Sequence, residues 1–256
     1  MICFKPSNFS LLYTKEIMIA KTPFSKLYIC KKENKEYVVK VQSIKHIQLI
    51  QKEINILHHL SKNNYTTNLI YSEWYYFNYF LVFDKIHGIT LLDYFKKTGT
   101  KRTTLDNNTI MHQLFNGFSF IQTKGIIHRD IKPDNIMIDY LLKITIIDFG
   151  LSVYQKDIYL LQHNEFSGTY QYVCPEMYRG IFYNASCDTW SLGVLLYYLF
   201  YNTYPYKVDS KKFRQCIMFK ILPECIKLLN LRNDIVPCIK DMLKIDYRPI
   251  IKDLNI

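Results

Sequence analysis

The stretch His128-Arg129-Asp130-Ile131-Lys132-Pro133-Asp134-Asn135, followed by Asp148-Phe149-Gly150, decides the reading of this chain. Phosphoryl transfer asks little covalent chemistry of a protein. It needs a base on the acceptor hydroxyl, cations on the developing charge and oxygen donors for a metal. A carboxylate, a lysine, an amide and a second carboxylate stand here in that order. Two further groups follow, Gly168-Thr169 and Val173-Cys174-Pro175-Glu176, and chance does not produce all four at this spacing. One absence stands beside them: the first glycine of the chain is Gly88, so no Gly-rich phosphate loop precedes the constellation.

Outward from that stretch, the pattern is sheet first and helix later. Residues 9–42 alternate apolar and polar positions around the turn Lys32-Glu33-Asn34-Lys35, which reads as three antiparallel strands. Residues 44–60 place Ile47, Ile50, Ile54, Leu57 and Leu60 at helical spacing. Two more strands are expected near residues 68–72 and 79–83. From Leu91 the pattern turns helical, with long segments at residues 109–124, stopped by Gly125, and from Thr189 onward. Such segregation indicates an α+β protein in two lobes, residues 1–86 and 87–256, meeting at a short hinge near residues 84–88. No repeat, low-complexity tract or Pro/Gly/Ser-rich linker interrupts them.

At 256 residues and 49% apolar composition the chain can bury a substantial core. Its seven cysteines, from Cys3 to Cys238, are widely spaced and include no CxxC pair, so neither a zinc site nor a disulfide framework is suggested. An intracellular setting, cytoplasm or nucleus, is expected. The opening MICFKPSNFS holds neither a signal peptide nor a lipidation motif. Residues 189–206 (TWSLGVLLYYLFYNTYPY) are uncharged over eighteen positions, close to a membrane-spanning length. Asn202, Pro205 and the scattered tyrosines favour a buried core helix instead, and no membrane association is expected. The net charge of +11 comes from 27 lysines against six arginines, dispersed along the chain. Together with abundant Ile, Asn and Tyr this is the bias of an AT-rich genome, and direct nucleic-acid binding is not expected.

On these motifs the chain resembles the eukaryotic-type protein kinase family, in its Ser/Thr branch, over residues 12–249. The resemblance implies a bilobal protein-kinase fold, with a small five-stranded antiparallel sheet and one helix (the family's αC) in the first lobe and a larger, mostly helical second lobe. It implies ATP and Mg2+ as cofactors, with Mn2+ as a substitute. Asp130 becomes the catalytic base, Lys132 the cation that steadies the γ-phosphate, and Asn135 and Asp148 the metal ligands. Lys40, in Tyr37-Val38-Val39-Lys40, grips the α- and β-phosphates and pairs with Glu53 on the following helix. Leu57 would then stack with Phe149 and His128. Phe83 takes the gatekeeper position, the Asp84 carbonyl and Ile86 amide meet the adenine edge, Val38 and Met137 sandwich the ring, and Ile19 and Leu27 complete the nucleotide set.

The same resemblance extends to specificity and regulation. Lys132 and Thr169 select serine or threonine as acceptor, and Asp134 is placed to attract a basic side chain. Arg129 implies a cationic pocket for an activation-loop phosphate, and the position usually phosphorylated is Glu165; Ser167 and Thr169 are alternative sites. Glu176 and Arg248 form a buried ion pair even though Asp246-Tyr247-Arg248-Pro249 compresses the usual spacing by two residues, and Asp188 braces the catalytic loop. Only seven residues follow Pro249, so the last helix is largely missing.

One segment departs from the family pattern. Aligned on Phe24 and Tyr28, residues 19–28 put Ala20, Thr22 and Ser25 where three glycines belong, and Pro23, which lacks an N–H, at the loop tip. A lost hydrogen bond to a charged group costs about 1.5–3 kcal/mol, enough to weaken ATP binding or turnover by one to two orders of magnitude without abolishing catalysis. The expected function is a serine/threonine protein kinase with a glycine-free nucleotide loop; the alternative is a pseudokinase acting as a binding scaffold or decoy. A small-molecule phosphotransferase fits less well, given Arg129, Lys132 and the segment from Thr169 to Glu176. The expected partner is a protein substrate, and Ile44, Ile47 and Leu49 leave a homodimer open. A narrower resemblance, to the small kinases of large DNA viruses including the late kinases of baculoviruses, would make that substrate a basic virion protein in a host cell.

Overall fold

The computed structural model describes residues 14–207, 209–227, 231–232 and 236–254. Cys3, Leu12, the opening MICFKPSNFS and the first part of the strand expected from residue 9 lie outside the described residues. The chain divides into two compact units, Met1–His87 and Gly88–Ile256.

In the first unit, strands β1 (Thr14–Lys21), β2 (Ser25–Lys32) and β3 (Lys35–Ser43) precede helix α1 (Ile47–Leu60), and β4 (Leu69–Tyr75) and β5 (Asn78–Asp84) follow it. They form one antiparallel sheet in the order β1-β2-β3-β5-β4. The period-2 alternation of the sequence puts Tyr28, Cys30, Val39, Val41, Phe80 and Val82 together on one face as a core. Register pairs Tyr28 with Val39, Val39 with Val82 and Val41 with Phe80, so the cluster is built from cross-strand neighbours. The alternate positions between them send Lys40, flanked by Leu27 and Leu81, to the other face. Helix α1 buries Ile50, Ile54, Leu57 and Leu60 as their spacing predicts, and Ile56 and Glu53 as well, whereas Ile47 is 40% exposed.

The second unit opens with β6 (Ile89–Thr90), α2 (Leu91–Thr98), α3 (Thr104–Thr123), β7 (Ile126–Ile127), β8 (Ile136–Ile138), β9 (Ile144–Ile146) and β10 (Val153–Tyr154). Two small antiparallel ladders, β6-β8-β9 and β10-β7, frame the loop that carries His128 to Asn135. Helices α4 (Pro175–Arg179), α5 (Ser186–Tyr201), α6 (Ser210–Met218), α7 (Glu224–Lys227) and α8 (Pro237–Met242) follow. The uncharged segment from Thr189 lies in α5, whose Leu192, Val194, Leu195, Leu196 and Leu199 are 0% exposed, so it is apolar all round because it is the core of this unit. The helix stops at Asn202, which takes the left-handed conformation (φ 52°) of a C-terminal cap. No described helix is long and apolar enough to cross a membrane.

Helix α3 starts five residues before the expected position 109. Thr103 accepts the Asp106 amide and the Asp106 carboxylate accepts the Thr103 amide (3.1 and 3.0 Å), a reciprocal cap that fixes the start by hydrogen bonding where apolar periodicity is still weak.

Candidate active site

Asp130 lies in the loop between β7 and β8, 7% exposed, and three side chains converge on it. Lys132 Nζ donates to Oδ2 at 2.7 Å, and Asn135 Nδ2 donates to Oδ2 at 2.9 Å and to the Asp130 carbonyl at 3.0 Å. The Thr169 hydroxyl donates to Oδ1 at 2.8 Å and accepts from Lys132 Nζ at 2.8 Å. The carboxylate is therefore held in one orientation by charge-assisted bonds, which are shorter and stronger than neutral ones. Thr169 reaches it because Gly168 precedes it. With φ +95°, Gly168 lets the segment pass so close that an added Cβ would lie 2.4 Å from the Arg129 carbonyl oxygen.

The loop backbone is fixed from below. Asp188, in the first turn of α5 and 1% exposed, accepts the amides of His128 (2.7 Å) and Arg129 (2.8 Å) through its two oxygens. Burial pushes the Asp188 carboxyl up, against the favourable pull of His128 and those amides. Arg129 itself has φ 65°, a conformation that costs a side-chain-bearing residue about 1–3 kcal/mol and persists only when its surroundings impose it. His128 packs its ring against Phe149 at 5.1 Å and Phe118 at 5.9 Å.

Asn135 and Asp148 are brought into register by a ladder. The Ile147 amide donates to the Asn135 carbonyl at 2.9 Å, and Ile136 pairs with Ile146. Because the Asn135 Nδ2 protons are committed to Asp130, its Oδ1 is the atom that can serve as an oxygen donor. Asp148 is exposed, on left-handed backbone (φ 60°). Two oxygen donors suit a hard divalent ion that completes its shell with water and phosphate oxygens. Among the described residues no cluster of three or more His, Cys, Asp or Glu forms an all-protein cage, and none is needed for that mode of binding.

The segment leading to Gly168 is anchored on Arg129. Its Nη1 donates to Glu165 Oε1 and to the Tyr183 hydroxyl (3.2 Å), and its Nε donates to the Leu151 carbonyl (2.7 Å). Burial alone would push the Glu165 carboxyl up; its own backbone amide and the Arg129 guanidinium outweigh that and hold it below the ordinary carboxylate value. Burial pulls the neighbouring His163 down, with its Nδ1 at 3.8 Å from Glu165. Further on, Arg248 donates to Glu176, to the carbonyls of Lys244 (2.6 Å) and Ile245 (3.0 Å) and to that of Ser186 (3.4 Å). The compressed spacing is accommodated because the guanidinium turns back onto its own chain.

In the first unit Lys40 Nζ contacts both Glu53 oxygens, at 2.7 and 3.1 Å, with side chains 11% and 2% exposed. Val38 and Phe83 are cross-strand partners on β3 and β5, and Leu27 faces Lys40. The Asp84 side chain binds Lys35 (2.6 Å) and Asn68 (3.0 Å) at the end of β5, opposite Tyr37, and Ile86 is half-buried beyond it. Ile19 falls at an irregularity in the β1–β2 register and is 49% exposed. Met137, half-buried on β8, belongs to the second unit, opposite Thr90 and Thr145. Asp134 is exposed in the same loop as Asp130.

The protein kinase domain family matches residues 13–248 of this chain. The chain belongs to the protein kinase family. Its α+β fold, with a five-stranded antiparallel sheet and mostly helical second unit, is that family's fold, and membership implies use of ATP and a divalent metal. The kinase domain is 30% identical over 236 residues to Serine/threonine-protein kinase AtPK1/AtPK6 of Arabidopsis thaliana, covering 89% of this chain and 49% of that protein. It is 32% identical over 173 residues to CDPK-related kinase 5 of Arabidopsis thaliana (66% of this chain, 28% of the relative) and 27% identical over 208 residues to Aurora kinase B of Mus musculus (75% and 56%). In each case the chain spans less than two thirds of the relative's length.

Two contributors in this kinase domain carried no signal that sequence reasoning used. Tyr183, 1% exposed, donates its hydroxyl to the Glu165 carbonyl (3.1 Å) while accepting from Arg129, and nothing in its neighbourhood marks it. Thr22 closes the turn between β1 and β2 through its side chain. Its residue type was available as a signal, since threonine hydroxyls habitually cap nearby amides in turns.

Proposed function

We propose that the chain is a serine/threonine protein kinase that transfers the ATP γ-phosphate, with Mg2+, to Ser or Thr hydroxyls of a protein substrate. The observation that carries this reading is the convergence of Lys132, Thr169 and Asn135 on the Asp130 carboxylate at 2.7–2.9 Å. An acceptor hydroxyl passes its proton to an Asp130 oxygen as its own oxygen bonds to the γ-phosphorus; the bond to the β–γ bridging oxygen breaks and ADP leaves. An Asp130 carboxylate fixed in orientation before substrate arrives supports this role, since positioning is the larger part of catalysis in this reaction. Lys132 supplies positive charge one hydrogen bond away from both Asp130 and Thr169. Asn135 Oδ1 and Asp148 would hold the divalent ion, whose charge would offset that of the phosphates, and Mn2+ would suit the same oxygen donors. Lys40, fixed by Glu53, serves the α- and β-phosphates.

Regulation is read from Arg129. Glu165 occupies the guanidinium that a phosphate would otherwise take, which supports an activation segment ordered without phosphorylation, although one charge is a weaker partner than the roughly −1.5 to −2 of a phosphate. Thr169 is already committed to Asp130 and Lys132, so a phosphate there would oppose the base.

A transfer assay with radiolabelled ATP and a basic protein substrate, with Asp130→Asn and Asp148→Asn alongside, tests the reading. Transfer by wild type and loss in both variants is expected. Equal signals in all three would remove the enzyme and leave the pseudokinase scaffold, which one observation favours: the turn between β1 and β2 differs from a phosphate loop in both residues and hydrogen bonding.

A further inference from the structure

β1 runs to Lys21 and β2 begins at Ser25, so only Thr22, Pro23 and Phe24 connect them. Within that turn the Thr22 amide donates to the Ser25 carbonyl at 2.8 Å. The Thr22 hydroxyl oxygen accepts from the amides of Phe24 (3.2 Å) and Ser25 (2.9 Å) and lies 3.0 Å from the Ser25 hydroxyl. Pro23 has no amide hydrogen. Every amide from Thr22 to Ser25 is thus already spent inside the turn, although the turn is exposed and open to a ligand. The Phe24 ring also packs edge-on against His46, ahead of α1, at 5.5 Å, which ties the turn to the body of its unit.

We propose that Thr22 withholds this turn from the nucleotide: its hydroxyl occupies the two amides that a phosphate chain would otherwise bind, so ATP is held with little contribution from the turn. This rests on the reading of the chain as an ATP-using kinase. The glycine substitutions limit how the backbone can approach, whereas Thr22 decides whether there is a donor to approach with. A phosphate oxygen can take the Phe24 and Ser25 amides only by breaking both side-chain bonds and turning the peptides outward. The determinant is a hydroxyl oxygen, and it can be removed without altering the β-branched shape.

Equilibrium titrations with adenosine and with ATP and magnesium test it on wild type, Thr22→Val and Thr22→Ser. Wild type and Thr22→Ser are expected to share one ATP-to-adenosine affinity ratio, set by Lys40 and the metal without the turn. Thr22→Val is expected to bind ATP about tenfold more tightly than wild type does, the worth of a recovered hydrogen bond to a charged group, with adenosine affinity unchanged. An ATP-to-adenosine ratio in Thr22→Val equal to that of wild type would overturn the role of Thr22. Amide hydrogen exchange at Phe24 and Ser25 gives a second reading in the unaltered protein: no change on adding ATP is expected, and new protection would overturn the proposal. Failure of phosphate transfer with the ratio shifted as expected would overturn the proposed function alone; an unshifted ratio with transfer intact would overturn the inference alone.

Discussion

Gly168→Ala asks whether the close passage of the activation segment over the catalytic loop sets the rate. An alanine Cβ at Gly168 would stand 2.4 Å from the Arg129 carbonyl oxygen, against the 3.4 Å where ordinary contact begins, so the backbone must retreat by about 1 Å. Alanine is also strained at φ +95° by about 1–3 kcal/mol. Thr169 moves with its neighbour, and its two 2.8 Å bonds, to Asp130 Oδ1 and from Lys132 Nζ, stretch past hydrogen-bonding range. A misplacement of about 1 Å in a reacting constellation costs about 10²-fold in rate. We therefore expect kcat to fall about 100-fold with KM for ATP little changed, and the melting temperature to drop by several degrees. Steady-state transfer at varied ATP, with thermal unfolding on the same samples, reads both. Thr169→Val removes the same bonds without backbone strain and should match the loss in kcat with a smaller loss in stability. A Gly168→Ala protein within threefold of wild-type kcat would refute the reasoning, and full activity in Thr169→Val alone would show that Thr169 is not the link.

Three further outcomes follow from the same geometry. Arg248→Met strands the Glu176 carboxylate and three carbonyls and should cost about 3–5 kcal/mol in denaturant unfolding, against about 1–2 kcal/mol for Glu176→Gln, which keeps an acceptor; equal losses would contradict the assigned contacts. Glu165→Ala should lower the rate if the Arg129 contact orders the segment. Because the folded-state carboxyl sits below its ordinary value, the stability this contact adds is present above the unfolded pKa and is lost as pH falls through the folded one, so the wild-type advantage over Glu165→Gln should hold at neutrality and vanish in acid. Asp188→Asn should lose kcat out of proportion to stability. The folded carboxyl is raised by burial, so its favourable contribution lies below the unfolded pKa and is gone once pH rises through the folded value, and a neutral isostere escapes that cost while failing to accept both amides.

What could be read from the sequence was set by how local each arrangement is. His128 to Asn135 is one contiguous loop, so the Lys132 and Asn135 bonds to Asp130 join residues at most five apart, and only Thr169 comes from a distance. The strands announced themselves by alternation, and the α1 face by its spacing. The start of α3 did not, because Thr103 and Asp106 mark it by capping while the apolar stripe begins later. Tyr183 was invisible for a different reason. Its hydroxyl joins Arg129 and Glu165 across separations of 54 and 18 residues, and a buried tyrosine in sequence looks the same whether or not its hydroxyl has work. Thr22 illustrates a third limit: the missing glycines were legible, but which acceptor would claim the turn's amides depends on a side-chain rotamer that composition does not specify.

A turn that gives the nucleotide little and the base and metal set proposed for this chain are compatible for an energetic reason. On the proposed reading, Asp130, Lys132 and the metal donors act on charge that develops only as the phosphoryl group moves, so removing any of them raises the barrier itself. Amides at a turn hold the phosphate chain before transfer and during it alike, and an interaction of equal strength in both states changes affinity without changing the turnover of bound substrate. On the proposed reading, Thr22 should therefore raise KM for ATP and leave kcat untouched, and the cost disappears whenever ATP is well above that KM. Substitution at Asp130 has no such refuge, since no concentration of nucleotide replaces a proton acceptor. A kinase supplied with ample ATP can spend its turn amides on a stiff hairpin while its catalytic loop stays fixed by Asp188, Thr169 and Asn135.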